Sequence, residues 1–407
     1  MAIQAGIGIS TEKDPRMAAK EAIRQARINL QSENLSLGFI FSTVSLASTG
    51  LLKTASIALG SVPLIGSSGA AIISNQGILK HGVAVMLLSL PKTVDFNTAC
   101  VRQIQEKTAL AAGEELAEKL LSNFTQARRH LSTIFSDGLI KESSNLLLGL
   151  QEKLGTSFPL VGASASDNLR FLRTYVYFNE DMLTDAACGV LWAGKLNFGL
   201  GIKHGWKPLG KPRYATRASG NIIYEIDNEP AAKIYEEYFA CDLAELRKKL
   251  KYISVLYPIG AYLEGEKEYL LRNIVSIKDD GSLFLQGGVP AGSMVRLMIG
   301  TKESCLAATR QAAEEAKISL SDSMIGMGSH TSKINFVLVF NSVSRYILLR
   351  READKELSII KEVFGNDIPI IGLYTYGEQA PLQAISYHGK SYFHNQTITV
   401  LAVEGLN

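Results

Sequence analysis

The sequence is poor in the features that identify a chemistry at sight. Its 407 residues hold four cysteines, Cys100, Cys188, Cys241 and Cys305, set far apart with no CxxC pair. That spacing supplies neither a zinc site nor a disulfide framework, and reduced, mostly buried thiols in a cytoplasm fit it best. The six histidines, His81, His130, His204, His330, His388 and His394, show no HxH or HExxH spacing, so no metal site is expected. There is no GxSxG elbow, and Gly66-Ser67-Ser68-Gly69 lacks the lysine of a P-loop and the spacing of a dinucleotide fingerprint. No cofactor is expected. Charge of one sign is also scarce. Lys and Arg number 42 against 39 Asp and Glu, a net +3, which gives no field to attract nucleic acid. The clusters Arg128-Arg129-His130 and Arg247-Lys248-Lys249 are short and read as solvated helix faces. Long apolar runs are missing as well. The most apolar stretch, 44–73, is interrupted by Lys53, Pro63 and many Ser and Gly, and reads as a buried strand–helix–strand segment rather than a membrane span. Met1-Ala2-Ile3-Gln4 opens no secretory signal. The expectation is a soluble cytoplasmic protein without a membrane or nucleic-acid partner.

What is present is a composition for burial. Hydrophobic residues make up 46% and charged residues 20%, enough for two or three packed domains. Residues 2–10 read as a strand, and Asp14-Pro15 then opens a helix whose Ala18, Ala19, Ala22, Ile23, Ala26 and Leu30 form one apolar stripe. Further helices are expected at about 105–122, 141–154, 229–252, 301–318 and 350–364. Across 171–226 and 254–299, short aromatic and β-branched runs broken by Gly, Asn and Pro predict antiparallel hairpins, one turning at Asp279-Asp280-Gly281. The fold class expected is α+β (mixed α/β): mixed sheets with crossover helices plus antiparallel hairpins, in two domains, 1–228 and 229–407.

One pattern occurs three times. Gly38-Phe39-Ile40-Phe41-Ser42, a helical stretch and Val62-Pro63-Leu64-Ile65-Gly66-Ser67-Ser68 form the first unit. The second runs from Ser132-Thr133-Ile134-Phe135-Ser136-Asp137 to Phe158-Pro159-Leu160-Val161-Gly162-Ala163-Ser164. The third runs from Val337-Leu338-Val339-Phe340-Asn341-Ser342 to Ile368-Pro369-Ile370-Ile371-Gly372-Leu373-Tyr374. Two apolar strands joined by a crossover helix lie parallel and buried on both faces. Their polar ends gather on one side, where either a ligand crevice forms or the Ser and Gly simply terminate strands.

Several passages resemble the FIST family. Gly205-Trp206-Lys207-Pro208-Leu209-Gly210, Thr216, Gly220-Asn221-Ile222-Ile223-Tyr224-Glu225-Ile226 and Pro230-Ala231 resemble the passage where the FIST N-terminal domain meets the FIST C-terminal domain. Arg272-Asn273-Ile274 and Val289-Pro290-Ala291-Gly292 resemble the FIST C hairpins. Phe340-Asn341-Ser342-Val343-Ser344-Arg345, Gly372-Leu373-Tyr374-Thr375-Tyr376-Gly377-Glu378, Pro381 and His394-Asn395-Gln396-Thr397 complete the likeness, which also takes in Gly8-Ile9-Ser10-Thr11 near the start. The resemblance implies a stand-alone, bacterial-type sensory protein of signal transduction that binds small ligands such as amino acids. Eukaryotic relatives join an F-box; here an output would pass through an unidentified signalling partner. Where the family often has Cys, Ser342 stands.

The candidate ligand residues are Arg345, Glu378, Tyr374, Ser342, Gly377, Asn395, Ser67, Ser136 and Trp206. Arg345 and Glu378 follow the two strand ends of the third unit. An arginine fork for a carboxylate and a glutamate for an ammonium suit an amino-acid zwitterion, with Tyr374 or Trp206 as an apolar wall. The same two residues would equally serve as an ion pair tying two loops. Gly377 suggests a tight turn with exposed N–H groups. The expected function is small-ligand sensing rather than catalysis. The alternatives are a hydrolase-like enzyme acting through Ser342 or Ser136, and a ligand-free interaction scaffold.

Overall fold

The computed structural model describes residues 3–122, 124, 128–266, 268–322, 333–382 and 390–406. His330 and His388 lie outside the described residues. Repetition in the sequence becomes repetition in space. The first repeat runs β1 (Gln4–Ser10), α1 (Pro15–Leu30), β2 (Leu37–Thr43), α2 (Thr49–Leu59), β3 (Leu64–Gly69), β4 (Ile72–Ser74), β5 (Gly77–Leu79), β6 (Val83–Ser89). The second follows the same order with β7 (Val94–Arg102), α3 (Ala109–Leu121), β8 (Arg129–Ser136), α4 (Ser143–Leu154), β9 (Leu160–Ser164), β10 (Val176–Phe178), β11 (Asp181–Leu183), β12 (Ala186–Gly194).

The third repeat opens with β13 (Leu196–Lys203) and is then interrupted by an insert. The insert contains β14 (Lys207–Tyr214), β15 (Arg217–Ser219), β16 (Ile222–Ile226), β17 (Glu229–Pro230), α5 (Lys233–Phe239), α6 (Leu243–Leu256), β18 (Ile259–Tyr262), β19 (Tyr269–Arg272), β20 (Ile274–Ile277), β21 (Leu283–Leu285) and β22 (Met294–Ile299). The repeat resumes with α7 (Lys302–Asp322), β23 (Phe336–Ser342), α8 (Val343–Leu349), α9 (Asp354–Phe364), β24 (Ile370–Thr375), β25 (Gly377–Pro381), β26 (Ser391–His394) and β27 (Ile398–Gly405). The single helix expected over about 229–252 is two, because Ala240 takes a left-handed φ of 49° and Asp242 caps a new helix through the Glu245 N–H.

In each repeat the two central strands pair in parallel, β2 with β3, β8 with β9 and β23 with β24. The hairpin that follows leaves its own sheet: β4 pairs with β24, β10 with β3 and β25 with β9. The three sheets thereby close a cycle, each receiving two strands from another repeat. The return strands β6, β12 and β27 then pair with β2, β8 and β23. Mixed sheets with crossover helices and antiparallel hairpins therefore describe the chain, as expected.

All three sheets turn one face to a common apolar core, and helices cover the outer faces in three further clusters. Phe41, Phe135 and Phe340 hold matching positions and meet edge to face, with centroids 5.5 and 5.7 Å apart along the series. Gly66, Gly162 and Gly372 also match. A Cβ at any of them would overlap the carbonyl oxygen of Ile40, Ile134 or Val339 on the neighbouring strand. This register places Asn341, not Ser342, level with Ser42 and Ser136, since their partners are Tyr374, Ser68 and Ser164. A one-residue offset puts Ser342 on the opposite face.

The polar strand ends do gather, but the loop between β9 and β10 closes over them. Ser166 Oγ accepts from Ala70 N at 2.8 Å and donates to the Tyr374 carbonyl at 2.7 Å, so one hydroxyl joins all three repeats. Beside it, Asp167 accepts from the N–H groups of Phe171, Leu172 and Arg173 and from the Tyr376 hydroxyl. Burial alone would raise this carboxyl. The four donors outweigh it and hold Asp167 below the ordinary carboxylate value. They also stabilise Asn168, Leu169 and Phe171 at positive φ.

The insert has its own core, built around Ile223, Tyr235, Leu246 and Leu283. Residue 228 lies in the turn between β16 and β17, inside this insert, while β13–β27 and β9–β25 unite strands from either side of it. Among the described residues no helix is long and apolar enough to cross a membrane.

Asp167→Ala leaves four donors without their acceptor and is expected to lower stability by about 3 kcal/mol, read as a lower urea midpoint with an unchanged slope. A loss within about 0.5 kcal/mol would mean the loop is not held by this carboxylate.

Candidate functional site

The third repeat carries the residues that looked most like a ligand fork. Ser342 ends β23 and its hydroxyl caps α8 through the Ser344 N–H at 3.3 Å. Three positions later Arg345 is fully buried. Its partner is Glu356 of α9, reached from Nε at 3.1 Å and Nη2 at 2.7 Å. Nη2 also donates to the Cys305 carbonyl and Thr309 Oγ1, both at 2.8 Å, and Nη1 to the His204 carbonyl at 2.5 Å. The second Glu356 oxygen accepts from Asn341 Nδ2 at 2.7 Å and from the Tyr374 hydroxyl at 3.1 Å. Burial alone would push the Arg345 guanidinium down, but the facing carboxylate keeps it above its ordinary value.

Arg345 and Glu378 therefore do not face each other across a crevice. Glu378 is fully buried on β25 and accepts from Thr375 Oγ1 at 2.8 Å, Thr397 Oγ1 at 2.8 Å and Thr397 N at 3.2 Å. Desolvation outweighs these donors and the Arg345 charge, and raises its carboxyl to about 8. Gly377 is not in an open turn. It pairs with Ser164 in the β25–β9 ladder, and a Cβ there would overlap the Phe393 ring. Tyr374 meets the tilted ring of Tyr346, centroids 4.6 Å apart, and its hydroxyl is held inside the network by Glu356. Trp206 packs beside it against Leu271, Met298 and Cys305. Ser136 is bound to Ser164 Oγ at 2.9 Å and Gln379 Nε2 at 3.1 Å, and Ser67 is buried on β3, so neither joins the others. Asn395 accepts from the Asn273 N–H at 3.1 Å and seats the insert on the body.

That seat is where a cavity opens. Gln396 Nε2 donates to the Ser254 carbonyl and to Asn273 Oδ1, and Gln286 Nε2 to the Tyr376 carbonyl. Next to these bonds lies a cavity of about 350 Å³, between residues 218–220, Leu263, β19 and the 288–291 turn of the insert, the start of α4, and β26. Arg272 forms part of its wall. The residue is 3% exposed and, among the described residues, its guanidinium donates only to main-chain carbonyls: Nε to Gly288 at 2.9 Å, Nη1 to Leu271 at 3.1 Å and to Phe393 at 2.8 Å. No carboxylate among the described residues pairs with it, and burial lowers it to about 9.

A larger groove, about 630 Å³, follows β1 and the 366–369 turn. Two of its side chains join segments of different repeats or strand ends. Asn75 bonds the main chain of Ile368 and Ile370, and Asn335 that of Ile3 and Gly405. It is a seam between repeats.

The matches to known proteins divide the chain within the insert rather than at its seam with the body. Residues 36–229 match the FIST N domain and residues 231–381 the FIST C domain, the two meeting inside the insert. The chain belongs to the FIST family. An uncharacterized protein of Mycobacterium tuberculosis is 25% identical over 388 residues, covering 93% of this FIST chain and 94% of its own. An uncharacterized protein of Mycobacterium bovis is 23% identical over 406 residues, 97% of each chain. A solved cyanuric acid hydrolase aligns along 100% of both chains at 8% identity with a TM-score of 0.39, a likeness too slight to carry an argument.

Two residues of consequence were not candidates in the sequence. Glu356 was readable in principle: with Ile360 and Phe364 it falls on one i, i+4, i+8 stripe, a carboxylate within an apolar helix face. Arg272 interrupts the run Tyr269-Leu270-Leu271. Its alternation alone does not distinguish a solvated arginine from a buried one.

Glu356→Ala leaves Arg345 buried without its counter-charge and is expected to cost about 3–5 kcal/mol in chemical denaturation. For Glu378 the folded value lies above the ordinary 4.5, so its contribution to stability is complete below about 4.5 and is lost as pH rises through about 8. Unfolding free energies measured across that window should fall less steeply in Glu378→Gln than in the native chain. Parallel curves would mean the carboxyl titrates normally.

Proposed function

We propose that this FIST protein is a small-molecule sensor whose ligand sits in the Arg272 cavity between the insert and the three-repeat body. FIST domains are associated with sensory and signal-transduction roles. The observation that carries the reading is a buried guanidinium, held in place by three carbonyls, that lines a cavity and lacks a counter-charge among the described residues. Leaving a buried charge unpaired is costly, and a bound anion removes that cost.

The cavity's position supplies a route from binding to output. Its walls come from both sides of the seam that Asn273, Asn395, Gln396 and Gln286 hold together. A ligand touching both sides changes the free energy with which the insert seats on the body. The reader of that change is a signalling protein, and the protein binds its ligand without transforming it. The serines that a hydrolase would use are engaged elsewhere, Ser342 in capping α8 and Ser136 in its bonds to Ser164 and Gln379. A cytoplasmic setting suits the four free thiols, two of them buried.

Thermal unfolding against a panel of small metabolites tests this reading. A true ligand at about 100 times its Kd adds about 2.7 kcal/mol, a rise of a few degrees, and Arg272→Gln should abolish the rise. The same rise in Arg272→Gln would place the site elsewhere.

A further inference from the structure

Given that the Arg272 cavity is the ligand site, its wall chemistry narrows the ligand. We propose that it selects an organic carboxylate with an apolar body and no ammonium group. The carboxylate lies against Arg272 and the body along Leu270, Val289 and Phe393.

Among the side chains of the described wall, Arg272 and Lys390 are cationic, and Ser144, Ser219, Ser391 and Tyr392 carry neutral hydroxyls, the last donating to Glu266. No Asp or Glu lines the cavity among the described residues. Nε and both Nη1 hydrogens of Arg272 are taken by carbonyls, while Nη2 donates to nothing among the described residues and keeps its two N–H groups for a carboxylate oxygen. The orientation of the guanidinium is thus set before a ligand arrives, which reduces the ordering cost of binding. An α-ammonium, bonded one carbon from the carboxylate, would enter beside two like charges with no carboxylate to receive it. That is an arrangement which rejects by repulsion and desolvation rather than by shape. Leu263, Leu270, Val289, Pro290 and Phe393 supply the apolar surface that a carboxylate's hydrocarbon part would cover. The cavity is small, so the body is on the scale of a single ring or a short chain.

Matched pairs of probes separate the groups. Calorimetric titration of the native chain with 3-phenylpropionate and phenylalanine, and with hexanoate and norleucine, varies only the ammonium. 3-Phenylpropionamide removes the charge from the carboxylate end. The expected result is binding of the carboxylates, at least about 30-fold weaker binding of the amino acids and of the amide, and loss of carboxylate binding in Arg272→Gln. Carboxylate affinity should also fall as pH rises through about 9, where the guanidinium loses its proton. Amino acids binding as tightly as their des-amino partners, with Arg272 still required, would overturn the selectivity and leave the sensor site standing. Carboxylate binding that Arg272→Gln leaves unchanged would overturn both. No binding by any carboxylate of the series would overturn the selectivity, whatever the wider metabolite panel shows. If Arg272→Gln does not fold, as judged by circular dichroism, the comparison within the native chain decides.

Discussion

The structure depends on the exchange of hairpins among three repeats. Each central parallel pair has an open side, and in each case another repeat fills it: β10 beside β3, β25 beside β9, β4 beside β24. Ladder bonds that would otherwise stand at a sheet edge are satisfied between repeats, so no repeat completes its sheet alone. The common core follows from this closure. Three sheets bound in a cycle present their inner faces to one another, and Phe41, Phe135 and Phe340 meet where those faces converge. At the polar end, Ser166 and Asp167 seal the same junction with hydrogen bonds.

Within that frame, three buried ionisable groups are accommodated in three different ways. Arg345 has a carboxylate partner and a shell of carbonyl and hydroxyl oxygens, which makes it a structural centre for the third repeat. Glu378 forms no ion pair among the described residues, and its burial favours the neutral acid. Arg272 has no counter-charge among the described residues, is held only by main-chain carbonyls, and lines a cavity. The distinction between structure and recognition here lies in what each charge faces. Residue type does not reveal it.

The insert gives the site its location. Without residues 207–299 the third repeat would run from β13 directly into α7, as the others run from β1 into α1 and β7 into α3. The insertion instead places Arg272 and the 288–291 turn against β26, a strand that the third repeat contributes to the second repeat's sheet. The cavity therefore has walls from the insert, from repeat two and from a strand exchanged by repeat three.

The sequence by itself determined the repeated strand–helix–strand units, the parallel pairing inside each, the hairpin character of the insert and the family. All of these are local periodicities or short passages such as Phe340-Asn341-Ser342 and Val289-Pro290-Ala291, readable along the chain. Only the tertiary structure decided which repeat each hairpin joins, that Asn341 rather than Ser342 stands level with Ser42 and Ser136, and which carboxylate answers which arginine. Spacing suggested Glu378 for Arg345 because both follow strand ends, yet the helix pair α8–α9 brings Glu356 to it instead. The physical reason is that pairing and burial depend on distances between segments far apart in the chain. A buried arginine and a solvated one leave the same letter in the sequence, and packing alone makes one a strut and another a binding group.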